Sequence, residues 1–168
     1  MNIELVSWHL GFLEELVQQA NNFNIAKFVR DVFPHPYTHE SGKFFIENVA
    51  QLNPKQIFAI VVDGKLAGGT GIFPQSDVYK KNAEVGYWLG ESFWGKGIAT
   101  EVLKRMVRYG FETFDIVRIY AGVFEGNIAS MKVLEKAGFQ LEKISHKTVF
   151  KNEQFLDEYM YGIRKEKI

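Results

Sequence analysis

The 168-residue sequence contains no cysteine. Disulfide scaffolds, thiolate metal sites and cysteine nucleophiles are therefore excluded by inventory, and a reducing or an oxidising compartment would suit the chain equally. Net charge is missing as well, because 20 Lys and Arg stand against 20 Asp and Glu. No global field draws a polyanion, so neither nucleic acid nor an anionic membrane face is an expected partner. No apolar run approaches the roughly 18 residues of a membrane span. The N-terminal MNIELVSWHLGFLEELV carries Glu4, Glu14 and Glu15 with no basic region ahead of an apolar core, unlike a secretory signal. The expectation is a soluble, cytoplasmic protein. His9, His35, His39 and His146 show no ligand spacing, and no metal is expected. Repeats, low-complexity tracts and linkers are absent too. At 46% hydrophobic the chain is long enough for one well-buried core and short for two, so residues 1–168 are expected to form a single domain.

What is present reads first as a pattern of elements. Residues 3 to 7, IELVS, predict a short strand, and Leu10, Leu13, Leu16 and Val17 recur at helical spacing after His9. A short helical piece is expected around 24 to 32, ahead of the breakers Pro34 and Pro36. A further helix starts at a Thr38 or Ser41 cap, with Phe44, Phe45, Val49 and Leu52 on one side, and Pro54 closes it. QIFAIVVDGKLAGGTGIFP predicts two strands joined by Asp63-Gly64, the dipeptide that suits a tight hairpin turn. NAEVGYWLG predicts another strand. From Gly97 to Phe114, Ile98, Val102, Leu103, Met106, Val107 and Phe111 fall along one helical face. VRIYAGVF predicts a strand, NIASMKVLEKAGF a helix ended by Gly138, and the rest a closing hairpin over Lys151-Asn152.

Between the strand ending at Leu89 and the long helix lies GESFWGKG, from Gly90. It is one letter short of G-x-x-x-x-G-K-[ST], the phosphate loop of nucleotide hydrolases. There the final hydroxyl coordinates Mg²⁺, but here the position is Gly97 and the nearest hydroxyl, Thr100, sits a helical turn later. Without a divalent cation a triphosphate would rest on Lys96 and backbone amides alone, so the hydrolase reading loses its mechanism. What survives is generic. Gly95 and Gly97 let backbone approach a ligand closely, and the helix N-terminus favours an anion. A pyrophosphate held without metal fits, and so does a plain strand-to-helix turn.

The neighbouring residues go further. AEVGYWLGESFWGKGIATEVLKRMVRYGF, followed by VRIYAGVFEGNIASMKVLEKAGFQLE, resembles the GNAT superfamily of N-acetyltransferases, and within it the RimJ/RimL-like ribosomal-protein-alanine branch. The resemblance covers roughly residues 3 to 163, is most specific in 84 to 139, and extends to RDVFPHPYT. It implies an α/β fold of the acyl-CoA N-acyltransferase type, with a mixed, mostly antiparallel central sheet flanked by helices. It also implies acetyl-CoA as cosubstrate, an amine acceptor, and a monomer or homodimer. The family's loop Q/R-x-x-G-x-G/A is matched by Trp94, Gly97 and Ala99, with Trp94 departing from the usual Gln or Arg. The amides of Gly95, Lys96, Gly97, Ile98, Ala99 and Thr100 should then wrap the pyrophosphate of coenzyme A, and the hydrolase likeness is coincidence. The pantetheine arm is expected to hydrogen-bond backbone near Trp88 and Leu89, where an N–H would polarise the thioester carbonyl.

Acetyl transfer to an amine needs a neutral nucleophile, a stabilised oxyanion and a proton for the departing thiolate. By the resemblance, Glu84 is the candidate base; its alternative is an exposed strand glutamate. Asn127 matches the family asparagine that contacts the pantetheine, and Asn is also an ordinary helix cap. Where many relatives carry a tyrosine acid this chain has Leu134, and the resemblance to the RimL-like branch implies Ser130, three residues after Asn127, as the acid in its place; the alternative is a bland helix-surface serine. Phe33, His35 and Tyr37 lie in the segment that, by resemblance, lines the acceptor groove. A lysine amine near pKa 10.4 loses its proton at roughly 4 to 5 kcal/mol at pH 7, against about 1 for an α-amine near 7.8. Such modest machinery leans toward a protein or peptide N-terminus. A small amine such as an amino acid, polyamine or antibiotic is the alternative, and a phosphate-loop protein or a non-catalytic acyl-CoA sensor would be a different class.

Overall fold

In the computed structural model, which describes residues 1–165, the chain begins with strand β1 (Ile3–Val6) and helices α1 (Leu13–Ala20), α2 (Phe23–Ala26) and α3 (His39–Phe44). Strands β2 (Ile57–Val62), β3 (Lys65–Pro74) and β4 (Asn82–Leu89) follow, then helix α4 (Ile98–Thr113), strand β5 (Arg118–Phe124), helix α5 (Ile128–Lys136), and strands β6 (Gln140–Lys151) and β7 (Gln154–Arg164). The strands form a seven-stranded sheet in the order β1-β2-β3-β4-β5-β7-β6. It is mixed and mostly antiparallel, as expected: β4 and β5 run parallel, while β1/β2, β2/β3, β5/β7 and β6/β7 run antiparallel. The chain divides into two compact units, one of Met1–Gly71 with Tyr87–Val102, the other of Ile72–Gly86 with Leu103 onward.

The first unit is built on the β2–β3 hairpin. Asp63 and Gly64 both adopt positive φ, 49° and 78°, the pair of left-handed residues whose twist matches the flanking strands. Trp8, Leu16, Ala20, Tyr37, Ile46, Ala50, Ile57, Ala59 and Leu66 bury together, with Phe33 and Trp88 packed against them. The helical segments depart from the expected periods for local reasons. His9 accepts from the Gly11 amide through Nδ1, so a 3-10 turn at Leu10–Phe12 precedes α1. After α3, capped by Thr38 accepting from the Ser41 amide, the chain widens into a π-type turn, Phe45–Val49, in which the Ala50 N–H reaches Phe45 O. The buried face runs through Gly42, Ile46 and Ala50, and Phe44, Val49 and Leu52, expected on the inner side, are exposed.

The second unit holds β5, β7 and β6 with α5 and most of α4. Ile116, Ile119, Leu134 and Phe139 are buried within it. Gly110 of α4 lies so close to Ile72 and Ile119 that a Cβ there would meet Ile119 Cδ1 at 3.0 Å. α5 ends at a left-handed Gly138 (φ 98°), whose N–H bonds Glu135 O. The closing turn falls one residue later than expected, on Asn152 and Glu153 (φ 49° and 61°), because Lys151 is buried on β6 and pairs with Gln154.

Candidate functional site

Gly90 ends β4 with its N–H on Ala67 O at 2.8 Å, and a 3-10 turn, Glu91–Phe93, leads into the loop. Gly95 and Gly97 are both left-handed, at φ 73° and 78°, and a Cβ built on either meets no atom within 4 Å. The glycines are therefore demanded by backbone conformation, and the space beside them is open to a ligand's approach. Gly97 O accepts the first helical bond, from Glu101 N at 3.2 Å, so Ile98, Ala99 and Thr100 form the first turn of α4. Amides in a first turn have no intrahelical acceptor, and with the helix dipole they favour an anion. Gly95, Lys96 and Gly97 are exposed, Thr100 is half-buried, and Ile98 and Ala99 are buried with their side chains turned to the core. This strand–glycine loop–helix junction fits a phosphate held by backbone.

Two loop side chains brace the loop. Trp94 donates its indole N–H to Leu89 O at 2.8 Å, and the Lys96 ammonium donates to Ser92 O at 2.8 Å while lying over the Phe93 ring. Trp88 is half-buried, edge-on to Phe33 with ring centres 5.4 Å apart, and Leu89 is buried. Their backbone lies against β3, where Gly68 leaves room for the Trp88 carbonyl.

The acceptor-side candidates occupy three different settings. Tyr37 is in the core, 5% exposed, its N–H on Asn21 Oδ1 at 3.0 Å, and burial pushes its phenol up to about 12. Phe33 is half-buried between Tyr37 and Trp88. His35 is exposed beside Phe23.

In the second unit, Glu84 is half-buried on β4, where the parallel ladder with β5 runs from Asn82 opposite Arg118 to Glu84 opposite Tyr120. Two residues on, Gly86 has nothing within 4 Å of its Cβ position. Asn127 caps α5, its Oδ1 accepting the Ser130 N–H at 3.3 Å. The structure thus brings Asn127 and half-buried Ser130 together in the first turn of α5, while Leu134 is 1% exposed and fills the core. Just before Asn127, the Glu125 carboxylate accepts the Asp157 N–H at 2.9 Å and the Lys147 ammonium at 3.1 Å, which hold it below the usual carboxylate range. Lys147 sits in a bulge of β6 with φ 53°, and its N–H bonds Asp157 Oδ1 at 2.9 Å. Among the described residues no group of three or more His, Asp or Glu is placed to hold a metal, and no helix is long and apolar enough to cross a membrane.

A mixed sheet carrying a glycine loop that presents helix-terminal amides defines the class of α/β proteins able to hold a phosphate group by backbone. Comparison with known proteins makes this particular. Residues 3–140 match the family model described as "Acetyltransferase (GNAT) domain". The chain belongs to the GNAT acetyltransferase family. It is 39% identical over 101 residues to the Bacillus subtilis (strain 168) protein named Probable N-acetyltransferase YjcK, across 60% of this chain and 56% of that one. The chain thus spans little more than half the length of that relative. Among solved structures, the microcin C7 self immunity acetyltransferase MccE, in complex with acetyl-CoA and AMP, superposes with a TM-score of 0.84 at 28% identity, covering 97% of this chain and 92% of that one. RimL, a ribosomal L7/L12 α-N-protein acetyltransferase in complex with coenzyme A, has a TM-score of 0.84 at 24% identity over 98% of this chain and 94% of its own, a likeness of fold.

Proposed function

We propose that this chain, as one catalytic domain, transfers the acetyl group of acetyl-CoA to a primary amine, and that the preferred acceptor is a protein or peptide N-terminal α-amine. The observation that carries the reading is the pair of left-handed glycines, Gly95 and Gly97, opening on free space at the start of α4. Bound acetyl-CoA supplies an activated acyl thioester. Amides from Gly95 through Thr100 hold its pyrophosphate, and the open position at Gly86 accommodates the pantetheine arm. Backbone N–H at Trp88 or Leu89 stabilises the developing oxyanion. Glu84 takes the proton released by the attacking amine, directly or through water, and Ser130 returns one to the departing sulfur. Asn127 fixes the turn from which Ser130 projects. Deprotonating an α-amine at pH 7 costs only about 1 kcal/mol, which a single carboxylate base can meet without a tyrosine acid.

Calorimetric titration with acetyl-CoA and, separately, Mg-ATP tests the cofactor. Binding of acetyl-CoA with no ATP response is expected, and the reverse overturns the reading. Thiol release with a panel of peptide N-termini, lysine, amino acids and polyamines tests the acceptor, with fastest turnover expected on a peptide α-amine. Acetyl-CoA binding without turnover on any acceptor, unaffected by substitution of Glu84 and Ser130, would mark an acyl-CoA sensor instead.

A further inference from the structure

Glu91 stands at the entrance of the glycine loop, where a carboxylate works against the binding of an anion. It is exposed, yet its carboxylate is not left to water. Asn22 Nδ2 donates to Oε2 at 2.7 Å, and Asn24 Nδ2 donates to the same oxygen at 3.2 Å and to Oε1 at 3.4 Å. These donors, with Lys27 nearby, hold the carboxyl below its ordinary range, so it is ionised while it grips them. The partners belong to a particular segment. Asn22 caps α2 through Oδ1 on the Asn24 N–H at 2.8 Å, and its neighbour Asn21 holds the Tyr37 N–H at 3.0 Å. One run of four residues, Asn21 to Asn24, therefore grips the loop entrance on one side and the end of the 27–37 segment on the other. Phe33 of that segment also packs edge-on against Trp88, at the end of β4.

We propose that Glu91 is a positioning residue that, through Asn22 and Asn24, ties the phosphate loop to the acceptor-side segment, so that holding the pyrophosphate also sets the acceptor wall. The inference rests on the function proposed above. It gives the carboxylate a mechanical task that offsets its unfavourable charge beside the loop, because two amide donors solvate the charge and hold it toward α2. Since Glu91 and Asn24 are exposed and Asn22 is half-buried outside the core cluster, loosening the clamp changes how the two segments are held and leaves the fold standing.

The test compares the full chain with Glu91→Ala, Glu91→Gln and Asn24→Ala. Glu91→Ala is expected to weaken acetyl-CoA binding about 3- to 10-fold in calorimetry and to raise the acceptor KM by a similar factor. kcat should stay within about twofold and Tm within about 2 °C. Glu91→Gln keeps an acceptor oxygen for Asn22 and should recover most of the loss; Asn24→Ala, which keeps the α2 cap, should show a smaller loss of the same kind. Hydrogen exchange across residues 21–37 supplies a readout independent of turnover: acetyl-CoA should slow it in the unmodified protein and fail to do so in Glu91→Ala. If the unmodified protein turns over and Glu91→Ala matches it in affinity, KM and exchange, the clamp is overturned alone. An effect on acetyl-CoA affinity with acceptor KM and exchange unchanged overturns the coupling. An unmodified protein that binds no acetyl-CoA overturns the proposed function and this inference together.

Discussion

The sharpest test of the site's architecture is Gly68→Ala on β3. A Cβ at this position would overlap the Trp88 carbonyl oxygen, and it would lie 2.9 Å from Leu89 Cα and 3.0 Å from Trp88 C, where ordinary contact begins at 3.4 Å. All three neighbours are backbone, so no side chain can swing away and the end of β4 itself must move. Overpacking of this kind costs about 1–3 kcal/mol, and rigid neighbours put Gly68→Ala at the upper end. Losing a glycine from the unfolded chain returns about 0.4–1 kcal/mol, leaving a net loss of roughly 2 kcal/mol. For a chain of this size that is a fall in Tm of about 4–8 °C. Gly86→Ala on β4 is the matched control: its Cβ meets nothing within 4 Å and its φ is not left-handed, so only the unfolded-chain gain of about 0.4–1 kcal/mol remains. Calorimetric melts of the two variants and the unmodified protein should give shifts of opposite sign. Both should weaken acetyl-CoA binding, Gly68→Ala by displacing Trp88 and Leu89, Gly86→Ala by filling space proposed for the pantetheine arm. An unchanged Tm in Gly68→Ala would refute the close approach of β3 to the β4 terminus, and a destabilised Gly86→Ala would refute the open position.

Gly97→Ala places a side chain at φ 78°, which should cost about 1 kcal/mol in a denaturant titration and raise the acetyl-CoA Kd by more than the stability loss explains. Glu84→Gln should reduce kcat about 100-fold or more with the acetyl-CoA Kd unchanged; a loss confined to Kd would remove Glu84 from proton transfer. Away from the site, Arg118 binds the Glu142 carboxylate through Nε and Nη2 and Asn82 Oδ1 through Nη1. The hydrogen bond and charge of Arg118 hold the Glu142 carboxyl below its ordinary value near 4.5. Because the folded value is depressed, the stabilisation is full above the unfolded value and is lost as pH falls through the folded one. Tm profiles of the unmodified protein and Glu142→Gln should therefore stand apart at pH 7 and converge only as pH falls below the ordinary carboxylate value near 4.5; parallel profiles would contradict the pairing.

Some of this architecture is written locally in the chain and some is not. Asp63-Gly64 announces its hairpin because few residues tolerate two successive positive φ angles, whereas Asn152 and Glu153 make the same kind of turn without a glycine to mark it. The face of the helix after Thr38 was misread from Phe44 on, since an apolar residue there is exposed while Gly42 and Ile46 are buried, and nothing in FIENV signals the wider turn that follows. The glycine loop could be read from residue types because its conformation demands them. The braces around it could not. Glu91 and Asn22 are 69 residues apart, and Arg118 and Glu142 meet through strand pairing, so no local period or spacing connects them. Tyr37 was legible as an aromatic near the acceptor segment, but its burial depends on Leu16, Ile46 and Leu66 arriving from other elements.

Trp94 shows how a departure from the family pattern shifts the burden of binding. A Gln or Arg at this place has polar atoms free to reach a phosphate, whereas the one polar atom of Trp94 is spent on Leu89 O. Lys96, the loop's own cation, is turned back onto Ser92 O. Phosphate affinity in the proposed site is left to backbone amides, which cannot be deleted by substitution but can be misdirected by changing the residues that set their φ angles. That is why Gly95 and Gly97, rather than any charged side chain of the loop, are where acetyl-CoA binding is most exposed to mutation. It also explains why the loop is braced on both sides, by Trp94 against the end of β4 and by Glu91 against α2. Amides fixed in direction by their surroundings bind an anion with little reorganisation, and fixing them is the task left to the side chains.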